Sequence, residues 1–313
     1  NLISIISKNP SAKAAGLLRV KPGDYLNSFL YQKVDCQTSS QYGSLMPLGG
    51  ASLNLGQIEF IKQWILKGAP KTGSVVDEAI LANKETCKQV FVPMQVPSSA
   101  EGFQLSINPF TVSPNTEREV FMNRITPNTS TVYVNKIVMQ GRPNSHHFVL
   151  YGFQNTTTLP PTNTLRDLYN SDASINILTF AQMQNHIFLG GGTDVNTTYT
   201  FPVGVALKIP ANTALDLNAH YFNKQTTNLT GENYVNLYTV PQANVLKEAQ
   251  SINFANYNFS IPANSRKTIT TDYTFNKSVT VITLTSHFHK LGEKFQIKIL
   301  GGTRNGEIVY ENT

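Results

Sequence analysis

The chain of 313 residues carries only 14% charged side chains, and its 25 basic and 19 acidic residues give a formal net charge of +6. The basic residues are scattered and form no run of like charge, which argues against a nucleic-acid partner. No stretch reaches the roughly 20 apolar residues that a transmembrane helix needs. Abundant Asn, Thr, Ser and Val favour an extracytoplasmic, mainly β protein with two domains or more.

Residues 1–85 form the first predicted domain, a small helical segment with one clear amphipathic helix. That helix lies in "LNLGQIEFIKQWILKGAPKTG", where Asn54 suits the N-cap and Gly68 followed by Pro70 ends the helix. Its apolar face consists of Ile58, Ile61, Trp64 and Ile65. The N-terminal stretch lacks the apolar core of a signal peptide, so we expect a mature or trimmed chain whose targeting signal lies outside it.

Residues 88–242 form the next predicted domain, because short alternating runs between turn residues replace the helical pattern. Among these runs are "STVYVNKIVMQG", "HHFVLYGF", "VGVALKIP" and "ALDLNAHYF". Regularly spaced strands without helices between them predict an antiparallel β-sandwich or jelly roll. The three glycines at 190–192 are interpreted as a flexible loop, since no Lys-Ser/Thr pair of a phosphate-binding loop follows them.

Residues 243–313 form the start of a second predicted β-sandwich, with strands expected in "NFSIPANSRKTITTDYTF" and "KSVTVITLTSHFHKLGEKFQIKILGG". These strands are too few to close a sandwich, so we expect the domain to continue past Thr313. The predicted fold class is therefore mainly β, with two antiparallel β-sandwich (jelly-roll) domains preceded by a small helical segment.

The two cysteines, Cys36 and Cys87, form no CxxC pair. Because two such residues in an extracytoplasmic protein are usually joined, we predict a disulfide from the N-terminal segment to the start of the next domain. Two buried free thiols are the alternative.

Five of the six histidines fall in three clusters in or beside predicted strands, namely His146 with His147, His220, and His287 with His289. Side chains two apart on a strand share a face, so His287 and His289 can chelate one ion. The adjacent His146 and His147 need a bulge or a strand end to do the same, and His220 can supply a third imidazole from another strand.

An all-imidazole ligand set without an Asp or Glu pattern suits copper, zinc, iron or nickel, and not magnesium or calcium. Copper and zinc form the short list. Zinc would indicate hydrolysis, but no Glu base is evident beside the histidine motifs. The lone His186 is interpreted as a surface or core residue.

The motifs "NSHHFVLYGF", "DLNAHYFN" and "SHFHKLGEKFQI" follow one another in the order of the copper type II, ascorbate-dependent monooxygenases, and residues 90–313 resemble that family. Its members include peptidylglycine α-hydroxylating monooxygenase and dopamine β-monooxygenase. The resemblance implies two jelly-roll domains that each hold one copper. It implies an electron-transferring copper on His146, His147 and His220, and a catalytic, O2-binding copper on His287 and His289. The implied reaction inserts one oxygen atom into a C–H bond, with ascorbate or another reductant supplying electrons.

Two positions depart from the family pattern. The second copper of the family also has a Met ligand on a later strand, but every Met of this chain precedes His289. Either that ligand lies in a C-terminal piece beyond Thr313 or the second site is altered, and we expect the former. The peptide-amidating members place an Arg two residues before the HxH motif, where Thr285 stands here. The substrate class therefore stays open between a small molecule and a peptide.

The N-terminal segment is similar to the C-terminal half of bacterial c-type cytochrome modules, in "VKPGDYLNSFLYQKV", "SLMPLGG" and "LNLGQIEFIKQWILKGAP". The resemblance implies that Met46 is the distal haem ligand. The chain has no CxxCH motif, so haem c would require one before Asn1. The alternatives are a haem-free packing element and a buried core role for Met46. A fused electron carrier or a separate electron-donor protein would suit an oxygenase that consumes reductant.

The leading hypothesis is an extracytoplasmic bacterial copper monooxygenase that hydroxylates a C–H bond of an unknown substrate. The first alternative is a non-catalytic extracellular structural or binding protein on the same two-sandwich fold, because fold alone does not settle function. A zinc hydrolase ranks third.

Overall fold

A computed structural model describes residues 2–36, 42–43, 45–48, 51–86, 91–194, 196–254, 256, 258–287 and 291–312. The chain forms two compact units, Asn1–Asn253 and Phe254–Thr313. The described residues are mainly β with few helices, as the composition predicts. Each helix among them is too short or too polar to span a lipid bilayer.

The first unit begins with three helices: α1 (Pro10–Ala14), α2 (Phe29–Val34) and α3 (Leu55–Leu66). Helix α3 confirms the predicted helix, and Asn54 and Gln57 form a reciprocal capping box at its N-terminus. Gly68 follows with φ near 89°, a conformation that glycine adopts without strain. The predicted apolar face is also correct, because Ile58 and Ile65 are buried while Ile61 and Trp64 pack beside them.

Eleven strands follow in the described part of the first unit, and one helix, α4 (Ile177–Met183), lies between the fifth and the sixth strand. The strands are β1 (Gly102–Val112), β2 (Thr116–Ile125), β3 (Val132–Gly141), β4 (Ser145–Phe153), β5 (Leu165–Asp167), β6 (His186–Gly192), β7 (Asn196–Thr200), β8 (Val205–Ile209), β9 (Ala214–Asn223), β10 (Leu229–Val240) and β11 (Lys247–Ala249). The four quoted runs of the predicted first sandwich thus form strands β3, β4, β8 and β9.

These strands form two sheets. A six-stranded sheet has the order β1-β10-β3-β8-β11 with β7 also paired to β3, and a five-stranded sheet has the order β5-β2-β9-β4-β6. All pairs are antiparallel except the short contact of β8 with β11. One hydrophobic core draws side chains from both sheets, including Ile137 and Leu237 from the first and Leu150 and Leu217 from the second. The alternation along each strand therefore leaves the opposite face of the five-stranded sheet for polar side chains.

The three glycines at 190–192 lie in strand β6, so their interpretation as a loop is wrong. Gly191 has φ near 149°, and a Cβ added there would lie 2.6 Å from the carbonyl oxygen of Phe148 on β4. Only a residue without a side chain allows the two backbones to approach this closely. Consecutive glycines reduce the strand propensity of the sequence, but pairing with β4 holds the segment extended.

The described part of the second unit contains fewer strands than predicted. Its sheet consists of β12 (Phe295–Lys298) and β13 (Ile308–Asn312), paired antiparallel. No strand occurs within 258–287, although the sequence alternates there. A strand needs a partner for its backbone hydrogen bonds, and the described residues of this unit supply partners only for the final hairpin.

The predicted disulfide between Cys36 and Cys87 lies outside the described residues, because Cys87 is not among them. Met46 is 40% exposed, and its backbone N–H donates to the carbonyl of Lys33 at 2.7 Å. This exposure contradicts the buried core alternative for Met46. The chain supplies one Met thioether at this place but no CxxCH motif, so its own residues do not complete a haem site.

Candidate metal centre

The histidine pair lies at the start of β4, beside β9 in the middle of the five-stranded sheet. Ser145 pairs with Tyr221 and His147 pairs with His220, so β4 uses two steps where β9 uses one. The extra residue is His146. This is a β-bulge, which is one of the two arrangements that the sequence requires for adjacent histidines to share an ion.

The bulge turns His146 to the side of the sheet on which His147 already lies. Ser145 and Phe148, which flank the pair, are buried, while both histidines are half-buried. On β9, Ala219 and Tyr221 point into the core and His220 points to the opposite face. Three imidazoles therefore converge on the outer face of the five-stranded sheet.

The three rings are close enough to hold one ion. One ring nitrogen from each of His146, His147 and His220 lies within 4.8 Å of the others. The ring centroids are separated by 5.0 to 5.5 Å. Distances of this size fit three nitrogens around a metal with bond lengths near 2 Å, which would draw the rings slightly inward.

A core tyrosine anchors the turn that precedes the histidine pair. The fully buried hydroxyl of Tyr221 accepts from the backbone N–H of Arg142 at 3.2 Å and lies 3.0 Å from Asn233 Oδ1 on β10. Tyr221 thus links β9 to the other sheet and to the β3–β4 turn. The bond to Arg142 holds the backbone just before the bulge that presents the ligands.

Two glutamates on β2 lie beside the imidazoles. Glu119 pairs directly with His220 across the sheet, and its Oε1 lies 3.5 Å from His147 Nε2. Glu117 Oε2 lies 3.5 Å from His220 Nε2. The expectation that no Glu accompanies the histidine motifs is therefore wrong. The alternation in "TEREV" places its two glutamates on one strand face, and this pattern could have marked them as candidates. The sequence alone does not show that this strand pairs with β9.

Burial changes the acidity of these groups. Desolvation lowers the pKa of His220 to about 4, and the neighbouring Glu119 only partly offsets it. Desolvation also lowers the pKa of His146, as does the charge of His147. At neutral pH both imidazoles are therefore uncharged and have a lone pair for a metal. Burial alone would raise the pKa of Glu119, but His147, His220 and Asn218 outweigh it and leave the pKa below its usual value.

An aromatic ring closes one side of the cluster. The Phe222 ring centroid lies 4.9 Å from that of His146 and 4.6 Å from that of His220. His220 Nε2 is buried and makes no hydrogen bond to the described residues, although Glu117 Oε2 lies 3.5 Å away. A buried ring next to an aromatic wall has lost its water, which makes an incoming cation a favourable partner.

The remaining sequence-derived candidates lie elsewhere. His186 is buried, and its Nε2 lies 2.9 Å from Asp216 Oδ2, which agrees with a core role. Asp216 is fully buried and also accepts from Arg166, so the ion pair is satisfied without a metal. His287 belongs to the second unit, is exposed and lies outside any strand, contrary to the prediction for that motif. Its predicted co-ligand His289 lies outside the described residues.

A scan of the chain against protein-family models gives no match, and neither does a search of curated proteins.

Proposed function

We propose that the chain is a copper-dependent monooxygenase that inserts one oxygen atom of O2 into a C–H bond of a small-molecule or peptide substrate, with ascorbate or another reductant as electron source. The observation that carries the proposal is the bulge of β4, which brings His146 and His147 to His220 on β9. These are the three histidines that the family resemblance assigns to the electron-transferring copper.

The donor set fits copper. Three imidazole nitrogens suit Cu(I) and Cu(II), and in the part of the chain that the structure describes no cysteine joins them as in a blue-copper site. When bound, copper supplies one-electron redox chemistry. The chain itself supplies the frame: two strands of one sheet, a core tyrosine behind the bulge, and two imidazoles, His146 and His220, whose lowered pKa keeps them uncharged at neutral pH. Three imidazoles on two paired strands would suit an ion that changes oxidation state without moving its ligands.

The wider architecture follows from the same proposal. Residues 88–242 would form one jelly-roll β-sandwich and residues 243–313 the start of another, after the helical segment at 1–85. His287 and His289 would hold the copper that binds O2. An extracytoplasmic location, a Cys36–Cys87 disulfide, a haem ligand role for Met46 and an electron-donor protein belong to this proposal as well.

A zinc hydrolase is the second candidate, and the observation that favours it is the presence of Glu117 and Glu119 beside the imidazoles. A carboxylate near a zinc-bound water can act as a general base. Both carboxylates, however, lie beside the Nε2 atoms of His147 and His220, so they contact the imidazoles themselves. For this reason we rank the zinc hydrolase second.

The first experiment measures metal per chain on the purified protein by elemental analysis, with EPR before and after ascorbate. One or two coppers whose Cu(II) signal disappears on reduction are expected. A His220→Ala variant should lose one copper, while a variant at the core histidine, His186→Gln, should retain it if it folds. Zinc without copper, even after copper loading, would favour hydrolysis, and binding of neither metal would overturn the proposal.

A further inference from the structure

Residues 91–97, with the sequence "FVPMQVP", lie against the outer face of the six-stranded sheet but belong to no strand. Pro93 and Pro97 hold φ at about −65°, and each restricts the residue before it to extended conformations. Burial along the segment has a period of three, because Phe91, Met94 and Pro97 are half-buried while the residues between them are exposed. Three residues per turn is the period of a left-handed polyproline II helix. We call residues 91–97 the strap.

Three carbonyl oxygens of the strap accept hydrogen bonds from side-chain amides of three adjacent strands. The bonds are Gln104 Nε2 on β1 to Met94 at 3.0 Å, Asn236 Nδ2 on β10 to Gln95 at 2.8 Å, and Gln140 Nε2 on β3 to Val92 at 3.2 Å. Among the described residues, no backbone–backbone hydrogen bond includes the strap. A polyproline II helix makes no internal hydrogen bonds, so its carbonyls are available to such side chains.

The register of the strands places these amides on the face away from the core. Gln104 pairs directly with Asn236, while the neighbouring Leu105 and Leu237 point into the core. Gln104 Nε2 also donates to Asn236 Oδ1 at 2.9 Å, so the NH2 group of Asn236 is the end that remains for the strap. Asn236 is 1% exposed, which leaves little room for water to replace the strap carbonyl. The amides are therefore oriented to donate to a backbone.

An aromatic contact holds the N-terminal end of the strap. The Phe91 ring stacks on Tyr234 of β10 with centroids 6.4 Å apart, and the guanidinium carbon of Arg142 lies 4.4 Å from the Phe91 centroid. Arg142 is paired with Glu232 at 2.6 Å, so its charge is balanced within the protein. These contacts suit the strap, which has no charged residue. We name as the amide face the surface formed by Gln104, Gln140, Tyr234 and Asn236.

We propose that the amide face is a recognition surface for an uncharged, proline-containing segment in the polyproline II conformation, and that the strap occupies it in cis. Such segments dock on surfaces with aromatic side chains because the helix is formed in advance and loses little entropy on binding. The strap lies between the helical segment at 1–85 and β1, so its release would add seven residues of free linker between them. The amide face is on the sheet that lacks the three histidines, and the inference is independent of any metal.

Limited proteolysis of the full chain measures how often the strap leaves the amide face. Thermolysin cleaves before large apolar residues, and Val92 and Val96 of the strap are 66% and 65% exposed. Gln104→Met keeps the length of the side chain and removes the donor. Loss of this hydrogen bond should raise the population of released strap, and with it the rate of cleavage there, about 2- to 10-fold.

The matched control is Gln154→Met. Gln154 Nε2 also donates to a backbone carbonyl, that of His186 at 3.2 Å, but on the other sheet, and its loss should leave cleavage of the strap unchanged. Equal rates of strap cleavage in Gln104→Met and Gln154→Met overturn the proposal. If Gln104→Met does not fold, Phe91→Gly decides, because it changes only the strap. An unchanged rate of strap cleavage in that variant overturns the proposal as well.

The second test asks whether the amide face binds a segment in trans. A full-length chain with Phe91→Gly and Met94→Gly has a weakened strap, and a fluorescent peptide "FVPMQVPS" supplies the original sequence. Saturable binding is expected, and it should weaken when Gln104→Met is added or when glycine replaces both prolines of the peptide. No saturable binding at millimolar peptide, or equal binding of the glycine peptide, would show that residues 91–97 are only a linker.

Discussion

At the scale of single residues, His146 decides the geometry of the candidate site. It has no partner on β9, and the bulge that it creates turns two neighbouring histidines to one face. A strand without the bulge would direct His146 into the core and leave two imidazoles on the outer face. This position removes much of the water around His146 and His220, and the desolvation lowers the pKa of both imidazoles.

This desolvation predicts how the stability of the metal-free protein depends on pH. The pKa of His220 is about 4 in the folded chain and near 6.5 in the unfolded chain, so the unfolded state binds the proton more tightly. The free energy of unfolding should therefore fall as the pH falls from about 6.5 toward 4. The loss attributable to His220 at pH 4.5 is on the order of 2 kcal/mol.

Denaturant titrations in the presence of a chelator, at several pH values between 4.5 and 7.5, measure this effect. In His220→Asn the dependence on pH should be flatter, and His146 and Glu119, whose pKa values are also lowered, contribute to the remainder. A variant with the same slope as the unmodified protein would show that His220 is not the titrating group.

At the scale of elements, the candidate site depends on strand β6, although β6 contributes no ligand. It pairs with β4 on the side away from β9 and holds β4 in the middle of the sheet. The close approach at Gly191 allows this pairing. The polar row along the outer face of β9, from Asp216 through Asn218 to His220, is in turn bonded to side chains of β5, β2 and β4.

Gly191→Ala should therefore disturb both the sheet and the site. Its positive φ and the nearness of the Phe148 carbonyl predict a loss of roughly 1–3 kcal/mol of stability together with weaker metal binding. The control is Gly190→Ala, whose added Cβ would lie 3.5 Å from Ile137 Cδ1, an ordinary contact. Thermal unfolding and copper titration of both variants test the prediction, and equal behaviour of the two would contradict it.

At the scale of the first unit, two sheets share one hydrophobic core, and the side chain of one tyrosine forms hydrogen bonds from one sheet to the other. The Tyr221 hydroxyl, on the five-stranded sheet, bonds to backbone groups of Arg142 and Glu232 and to the side chain of Asn233. Its burial raises the pKa of Tyr221 to about 12, so the hydroxyl keeps its proton and can both donate and accept. The ring itself packs edge-on against Phe110.

Tyr221→Phe keeps the ring and removes these bonds. Leaving buried partners without the hydroxyl should cost about 1–3 kcal/mol of unfolding free energy. Tyr133→Phe is the control, because Tyr133 is also buried but lies on β3 outside this set of bonds. Chemical denaturation of both variants measures the difference, and a loss in Tyr221→Phe no larger than in the control would show that the hydroxyl does not stabilise the fold.

Much of this molecule is predictable from local patterns. Helix α3 follows from its capping residues and apolar period, and strands β3, β4, β8 and β9 follow from alternation. Strand β6 is not predictable in this way, because its glycines have low strand propensity. The segment becomes a strand through its pairing with β4. The opposite error concerns residues 258–287, where alternation is present but no partner strand lies among the described residues.

By itself the sequence determined the mainly β class, the helical N-terminal segment and the three histidines proposed to share one ion. Composition, hydrophobic periodicity and residue chemistry are local properties of the chain. Only the tertiary structure decided that His146 is a bulge, that Glu117 and Glu119 stand behind the imidazoles, and that Asn218 faces His147. These facts depend on which strands pair and in what register. Register is set by contacts between residues that lie tens of positions apart, and no short motif contains it.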